Sequence, residues 1–257
     1  MRDLNDYNEN EERLTKVNDR ITMIEKVGGQ SFGTDAFLLS AYASPARAGM
    51  GAVDLGSGCG ICSLLLADHD KADHVYAVEI QTYLASTAER NVKLNGLEEK
   101  VSVICTDLRM INKRSFEHPI DTVIANPPYF KKSAGKNCPD PIRNASRFEI
   151  NGGIADFCAA ASEIMRPGAK FYCVIRPERL SELISSLRAC ALELRRMTPV
   201  CHTVKSAPSV LLCCAERTPS SVVNVTRALF LRDNDGNMTE DAQKIYDNCD
   251  FGDFFNE

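Results

Sequence analysis

Asp54-Leu55-Gly56-Ser57-Gly58-Cys59-Gly60 closes an apolar run and opens a helical one. Glycines at alternate positions let the backbone turn sharply and approach a ligand closely, and a nucleotide-type ligand is the natural guest of such a turn. The spacing is Gly56, Gly58, Gly60 rather than Gly-x-Gly-x-x-Gly, which argues against a pyrophosphate and for a neutral or cationic group. Glu79 ends the next apolar run, 25 residues beyond Asp54, where a carboxylate can accept both hydroxyls of a ribose. Asp107-Leu108 ends the third run; an acid there can take a hydrogen bond from an adenine amine while apolar neighbours cover the ring. Any one of these acids could be a helix or turn cap. Acids at three successive strand ends make a more specific constellation.

Short apolar runs alternate with longer helical stretches, the pattern of a parallel sheet covered by helices. Strands are expected at Gly51 to Leu55, His74 to Glu79, Val101 to Cys105, Ile120 to Ala125 and Ala169 to Ile175. Leu194 to Val204, Val210 to Ala215 and Ala228 to Leu231 should complete the sheet. Helices are expected at Ile61 to Ala67, Thr82 to Asn95 with Gly96 as C-cap, Ile154 to Met165 stopped by Pro167-Gly168, Glu178 to Ala191, and Thr239 to Tyr246. Before Gly51, Arg20 to Lys26 alternates like a short strand and Asp35 to Ala43 has a helical pattern. The stretch from Phe130 to Ile150 is long, polar and irregular, as loops that serve a site often are.

The chain has 257 residues, enough for a substantial core, and its 44% hydrophobic and 25% charged residues are ordinary for a globular enzyme. No apolar run approaches the ~18 residues of a membrane span, and the polar, acidic Met1 to Glu12 is no signal peptide, so a cytoplasmic protein is expected. Most of the eleven cysteines, including Cys105, Cys173, Cys190, Cys213 and Cys214, sit in apolar runs as small hydrophobes. Cys59-x-x-Cys62 has no second pair or nearby histidine, so the two read as structural thiols and no metal is expected. A net charge of -5 counts against a large basic face for nucleic acid but leaves room for a local patch at Lys131, Lys132, Lys136, Arg143 and Arg147.

The glycine-rich run with its following acids resembles the class I S-adenosylmethionine-dependent methyltransferases. The resemblance implies an α/β fold, a Rossmann-like seven-stranded, mostly parallel sheet with helices on both faces. It implies a loop that receives the amino acid part of S-adenosylmethionine, with the ribose on Glu79 and the adenine on Asp107. The cofactor contacts that the resemblance implies are Asp54, Gly56, Gly58, Gly60, Glu79, Ile80, Asp107, Leu108 and Asn126.

Asn126-Pro127-Pro128-Tyr129 after the fourth strand resembles the Asn-Pro-Pro-Tyr motif of methyltransferases acting on exocyclic base amines or on the glutamine side-chain amide. The chemistry suits the residues. A planar, conjugated nitrogen is a weak nucleophile, so its N–H groups must be held by fixed acceptors, here the Asn126 side-chain oxygen and the Pro127 carbonyl. Two prolines stiffen the turn, and Tyr129 would stack on the flat acceptor. In-line methyl transfer governed by positioning is the expected mechanism.

Three further stretches resemble the bacterial methyltransferases acting on adenine in the anticodon loop of valine tRNA. These are Gly29 through Leu39, containing Phe32, Gly33, Thr34 and Asp35; Arg147-Phe148-Glu149, with Ser146 and Phe148 as departures; and Asp235 through Glu240 with Ile245-Tyr246. The resemblance adds Phe32 to Asp35 to the cofactor site and assigns Tyr129, Lys131, Lys132, Arg147 and Glu149 to substrate. It implies N6-methylation of adenine in RNA, with a tRNA anticodon stem-loop as partner, by a monomer or weak dimer. It implies one methyltransferase domain over 1–257, in which 1–50 is an extension contributing to the cofactor and substrate site. The alternatives are a release-factor-type glutamine N5 methyltransferase, whose extra helical domain has no counterpart in the fifty residues ahead of the loop, and an inactive cofactor-binding RNA module.

Overall fold

The computed structural model describes residues 11–27, 33–128 and 152–255. Eleven strands and six α-helices follow one another among these residues. A hairpin of β1 (Glu12–Lys16) and β2 (Thr22–Lys26) precedes α1 (Thr34–Tyr42). Then come β3 (Gly51–Leu55), α2 (Ile61–Asp68), β4 (His74–Glu79), α3 (Thr82–Asn95), β5 (Val101–Cys105) and β6 (Ile120–Ala125). After the site region lie α4 (Ile154–Ile164), β7 (Met165–Ile175), α5 (Leu180–Ala189), β8 (Glu193–Thr203) and β9 (Pro208–Glu216). The short β10 (Asn224–Val225) and β11 (Leu229–Arg232), then α6 (Glu240–Asn248), close the chain.

The main sheet runs β10-β8-β9-β7-β6-β3-β4-β5, with β11 also on β8. The seven long strands of the sheet are joined at β8 by the short β11, expected at Ala228 to Leu231, and by β10, which was not expected. Pairing is parallel throughout except where β9 lies antiparallel to β7 and β8. Helices cover both faces, so β3, β4 and β6 are buried almost along their whole length and read as continuous apolar runs. Alternate residues feed two cores. Ala52, Ile124, Tyr172 and Leu212 pack with α1, α2 and the C-terminal aromatic residues. Val53, Val123, Phe171 and Cys213 pack with α4 and α5.

α3 ends as expected, at Gly96 in the left-handed region with φ 66°, its N–H bonded to the carbonyls of Lys93 and Val92. Two expectations need correction. α4 stops at Ile164, and Pro167-Gly168 lies inside β7 rather than ending the helix. The register passes from Ile120↔Met165 to Thr122↔Lys170, so the Pro-Gly pair is a bulge that lets the strand start directly after the helix. Cys105 is exposed, not packed in the core, because β5 is the edge of the sheet. β1 has no clear strand signal, since only its first residue, Glu12, is buried.

The N-terminal hairpin is fastened to α3 by two asparagines one turn apart. Asn91 accepts from the Ile24 N–H at 2.7 Å and donates to the Ile24 carbonyl at 3.2 Å. Asn95 does the same to Thr22, at 2.9 and 2.8 Å. A helical i,i+4 repeat of ~6 Å matches the i,i+2 repeat of a strand, so the two amides act as a short surrogate strand. Arg90, on the same helix, holds the buried Glu12 through both carboxylate oxygens at 2.7 and 2.8 Å. No helix among the described residues is long and apolar enough to cross a membrane.

Candidate active site

The registers place the chemistry-bearing residues in one row. Leu55 pairs with Ala125 on one side and Val78 on the other, and Glu79 pairs with Cys105. Gly56, Asn126 and Glu79 each follow a matched pair, so they stand on neighbouring strands at one level, with strands about 4.8 Å apart. The chain runs β3, β4, β5 in one direction and returns to place β6 on the other side of β3. The point between β3 and β6 is thus a topological switch point, where open α/β sheets form a ligand crevice. The glycine loop flanks it on one side and Asn126 on the other.

Gly56, Gly58 and Gly60 all have positive φ, at 69°, 57° and 90°. A Cβ at Gly56 would also press on the Phe157 ring at 3.2 Å, whereas one at Gly58 would meet nothing within 4 Å. Gly58 therefore borders open space. Four of the five amides of Gly56–Gly60 are spoken for: Gly56 and Ser57 donate to the Val78 carbonyl at 2.8 and 3.0 Å, Gly60 to Ser57 at 2.9 Å, and Gly58 to Glu79 Oε2 at 2.9 Å. A phosphate nest needs such amides turned outward, so this loop is not built for a pyrophosphate.

Asp54 is buried, and its Oδ2 accepts from the N–H of Ser63 at 3.1 Å and its hydroxyl at 2.8 Å. It ties the first turn of α2 to the end of β3. Burial pushes its carboxyl up to about 7 against the lowering effect of Ser63, with the Glu79 charge adding to the rise. Glu79 is also buried and raised by burial, although backbone N–H groups of Gln81 and Gly58 favour its charged form. Cys59 is pushed up to about 12, first by burial and then by Glu25, Glu79 and Glu12. Cys62 is buried with its Sγ 3.7 Å from the Ala36 carbonyl, which joins α2 to α1 and makes it a structural thiol. Gly33, Thr34 and Asp35 form the start of that same α1.

Asp107 is differently placed from the other acids. Its carboxylate caps the turn Leu108–Met110 by accepting from the Arg109 N–H at 2.9 Å, and the Arg109 guanidinium pairs with both its oxygens. Arg109 holds the carboxyl below its ordinary range. Leu108 beside it is buried, and Ile80, after Glu79, is exposed.

Asn126 directly follows β6, on one side of the switch point. Its Oδ1 is buried and has no hydrogen-bond partner among the described residues. Such an orphan costs about 1–3 kcal/mol, so it calls for a donor from beyond the described residues. Pro127 is buried and Pro128 partly so. The Pro128 carbonyl accepts from Arg179 Nη1 at 2.8 Å. Phe32, Tyr129, Lys131, Lys132, Arg147 and Glu149 lie outside the described residues. Ser63, Asn91 and Arg179 escape sequence reading: Asn91 and Arg179 act on backbone groups 67 and 51 residues away, and Ser63 reaches Asp54 only once the loop between them has turned. Asn91 also donates to the Cys59 carbonyl at 3.0 Å, bracing the glycine loop. The four-residue interval between Asn91 and Asn95 along α3 was the available signal.

The family model for the methyltransferase small domain matches residues 32–182, from the start of α1 to the start of α5. The chain belongs to this methyltransferase family. A tRNA1(Val) (adenine(37)-N6)-methyltransferase of Bacteroides fragilis is 32% identical over 143 residues, 56% of this chain and 59% of that protein. The match thus spans less than two thirds of the Bacteroides relative. A protein of the same name from Shigella dysenteriae is 28% identical over 211 residues, covering 81% of this chain and 83% of its own. A crystal structure of a predicted O-methyltransferase from Agrobacterium tumefaciens shares the fold, with a TM-score of 0.65 at 21% identity over 84% of this chain and 97% of that one. In this methyltransferase small domain the matched span contains the glycine loop, all three acids and Asn126. Among the described residues no group of three or more His, Cys, Asp or Glu is placed to hold a metal ion.

Proposed function

We propose that this chain methylates the exocyclic N6 of an adenine in the anticodon loop of a tRNA, using S-adenosylmethionine. The observation that carries the reading is the buried, unpartnered Asn126 Oδ1 at the switch point. An amine N–H donated to that oxygen would satisfy it. The relatives named as tRNA adenine-N6 methyltransferases supply the nucleic acid and the base. Such a substrate places the protein in the cytoplasm.

S-adenosylmethionine, when bound, supplies a methyl group on a positively charged sulfur. The residues suit that molecule: Gly58 borders open space and Glu79 keeps further lone pairs for ribose hydroxyls. Asp107 reaches an adenine only as a shared acceptor, since Arg109 already occupies it.

Asn126 Oδ1 and the Pro127 carbonyl would accept the two N–H groups of the acceptor amine and hold its lone pair out of conjugation. As the nitrogen gains its new bond it becomes cationic, and the same two oxygens stabilise it before one proton leaves to water. Positioning provides most of the acceleration. Phe32, Tyr129, Lys131, Lys132, Arg147 and Glu149 complete the proposal as cofactor and substrate contacts.

The test is to incubate the protein with labelled S-adenosylmethionine and unmodified total tRNA and digest to nucleosides. Labelled N6-methyladenosine is the expected product. Label that enters purified release factor but not tRNA would replace the reading with glutamine methylation. No binding of S-adenosylhomocysteine by calorimetry would make the chain a non-catalytic module.

A further inference from the structure

A Pro-Pro turn has no amide hydrogens of its own at either proline, so only its carbonyls can anchor it. The Pro128 carbonyl is anchored by one side chain. Arg179 closes the short turn Pro177–Arg179 that follows β7, the strand paired in parallel with β6. Its side chain is only 9% exposed. Nη1 donates to the Pro128 carbonyl at 2.8 Å, while Nη2 and Nε donate to Glu182 at 2.7 and 3.3 Å. Glu182 lies one turn along in α5, and its two bonds, to Nε and Nη2, fix the plane of the guanidinium. A planar, doubly held donor gives a direction as well as an attraction, which an ammonium would not.

We infer that Arg179 is a positioning residue for the transfer reaction: through the Pro128 carbonyl it sets the angle at which Asn126 and Pro127 meet the acceptor amine. This rests on the reading of Asn126 given above. None of the hydrogen bonds described for the glycine loop comes from Arg179. Its loss should therefore lower turnover without weakening cofactor binding.

The experiment compares wild type, Arg179→Lys, Arg179→Ala and Glu182→Gln in steady-state tRNA methylation, with S-adenosylhomocysteine calorimetry and thermal melting on each. Misplacement of a reacting group by about an ångström costs ~100-fold, so kcat of Arg179→Ala should fall by about that factor. KM for tRNA and the S-adenosylhomocysteine affinity should stay within ~3-fold, because neither ligand loses a contact. Arg179→Lys and Glu182→Gln should fall less, and added methylguanidine should restore part of the activity of Arg179→Ala. A kcat within ~3-fold of wild type in Arg179→Ala overturns the inference. Should Arg179→Ala fail to fold, full kcat in both folded conservative variants overturns it equally. A wild-type chain that methylates no acceptor sinks the underlying reading and the inference together, whereas an active wild type with an equally active Arg179→Ala sinks the inference alone.

Discussion

Glu79 Oε2 accepts the backbone N–H of Gly58 at 2.9 Å, which makes the glycine loop and the acid on the next strand one structural unit. The other carboxylate oxygen accepts the N–H of Gln81 at 2.8 Å. An amide in place of the carboxylate must therefore present its NH2 to one backbone N–H whichever way it is turned. Glu79→Gln should weaken S-adenosylhomocysteine binding by about 10-fold or more, from the ~1.5–3 kcal/mol of a hydrogen bond to a charged group. Calorimetry measures this; an unchanged affinity would separate Glu79 from the cofactor site.

Asp54 carries a pH signature. Burial raises its carboxyl from 3.8 to about 7 in the folded protein. Between those values the native chain holds a proton that the unfolded chain has released, so this group's contribution to stability declines as pH rises through the window and is level above it. Asp54→Asn has no such term. Its melting temperature relative to wild type should rise between about pH 4 and about pH 8, and a difference that stays constant would contradict the assignment.

Much of this was legible in the residues, and for physical reasons. β3, β4, β5 and β6 are short apolar runs bounded by glycine, acid or proline, and α3 ends on a glycine in its left-handed cap. Local signals of that strength fix boundaries. Pro167-Gly168 misleads because the same dipeptide that stops a helix also makes a bulge, and only the pairing of β7 with β6 decides which. Cys105 misleads because its apolar neighbours do not tell an edge strand from a central one. In the site, the glycines, Asp54, Glu79 and Asn126 stand out by type and spacing. Arg179 and Asn91 do not, since each acts across 51 or 67 residues of sequence on a backbone group that carries no side-chain signal. Asp107 stands out equally well, yet its partner is the adjacent Arg109.

Asn91 offers a stability test of the brace behind the glycine loop. Removing its amide leaves the Ile24 N–H and carbonyl and the Cys59 carbonyl without this partner in a buried setting. Asn91→Ala should cost about 3 kcal/mol in urea unfolding, with weaker S-adenosylhomocysteine binding because the loop is less firmly held. A loss below ~0.5 kcal/mol would mean that the hairpin and loop are fixed by other contacts.

The most direct measurement concerns Asn126 alone. Asn126→Ala removes the buried acceptor without touching the glycine loop or Glu79. Turnover on unmodified tRNA should fall by ~1,000-fold, the scale of losing one stabilising group aimed at developing charge, while S-adenosylhomocysteine affinity stays within a few fold. Full turnover by Asn126→Ala, with cofactor binding intact, would contradict the claim that this side chain holds the acceptor amine.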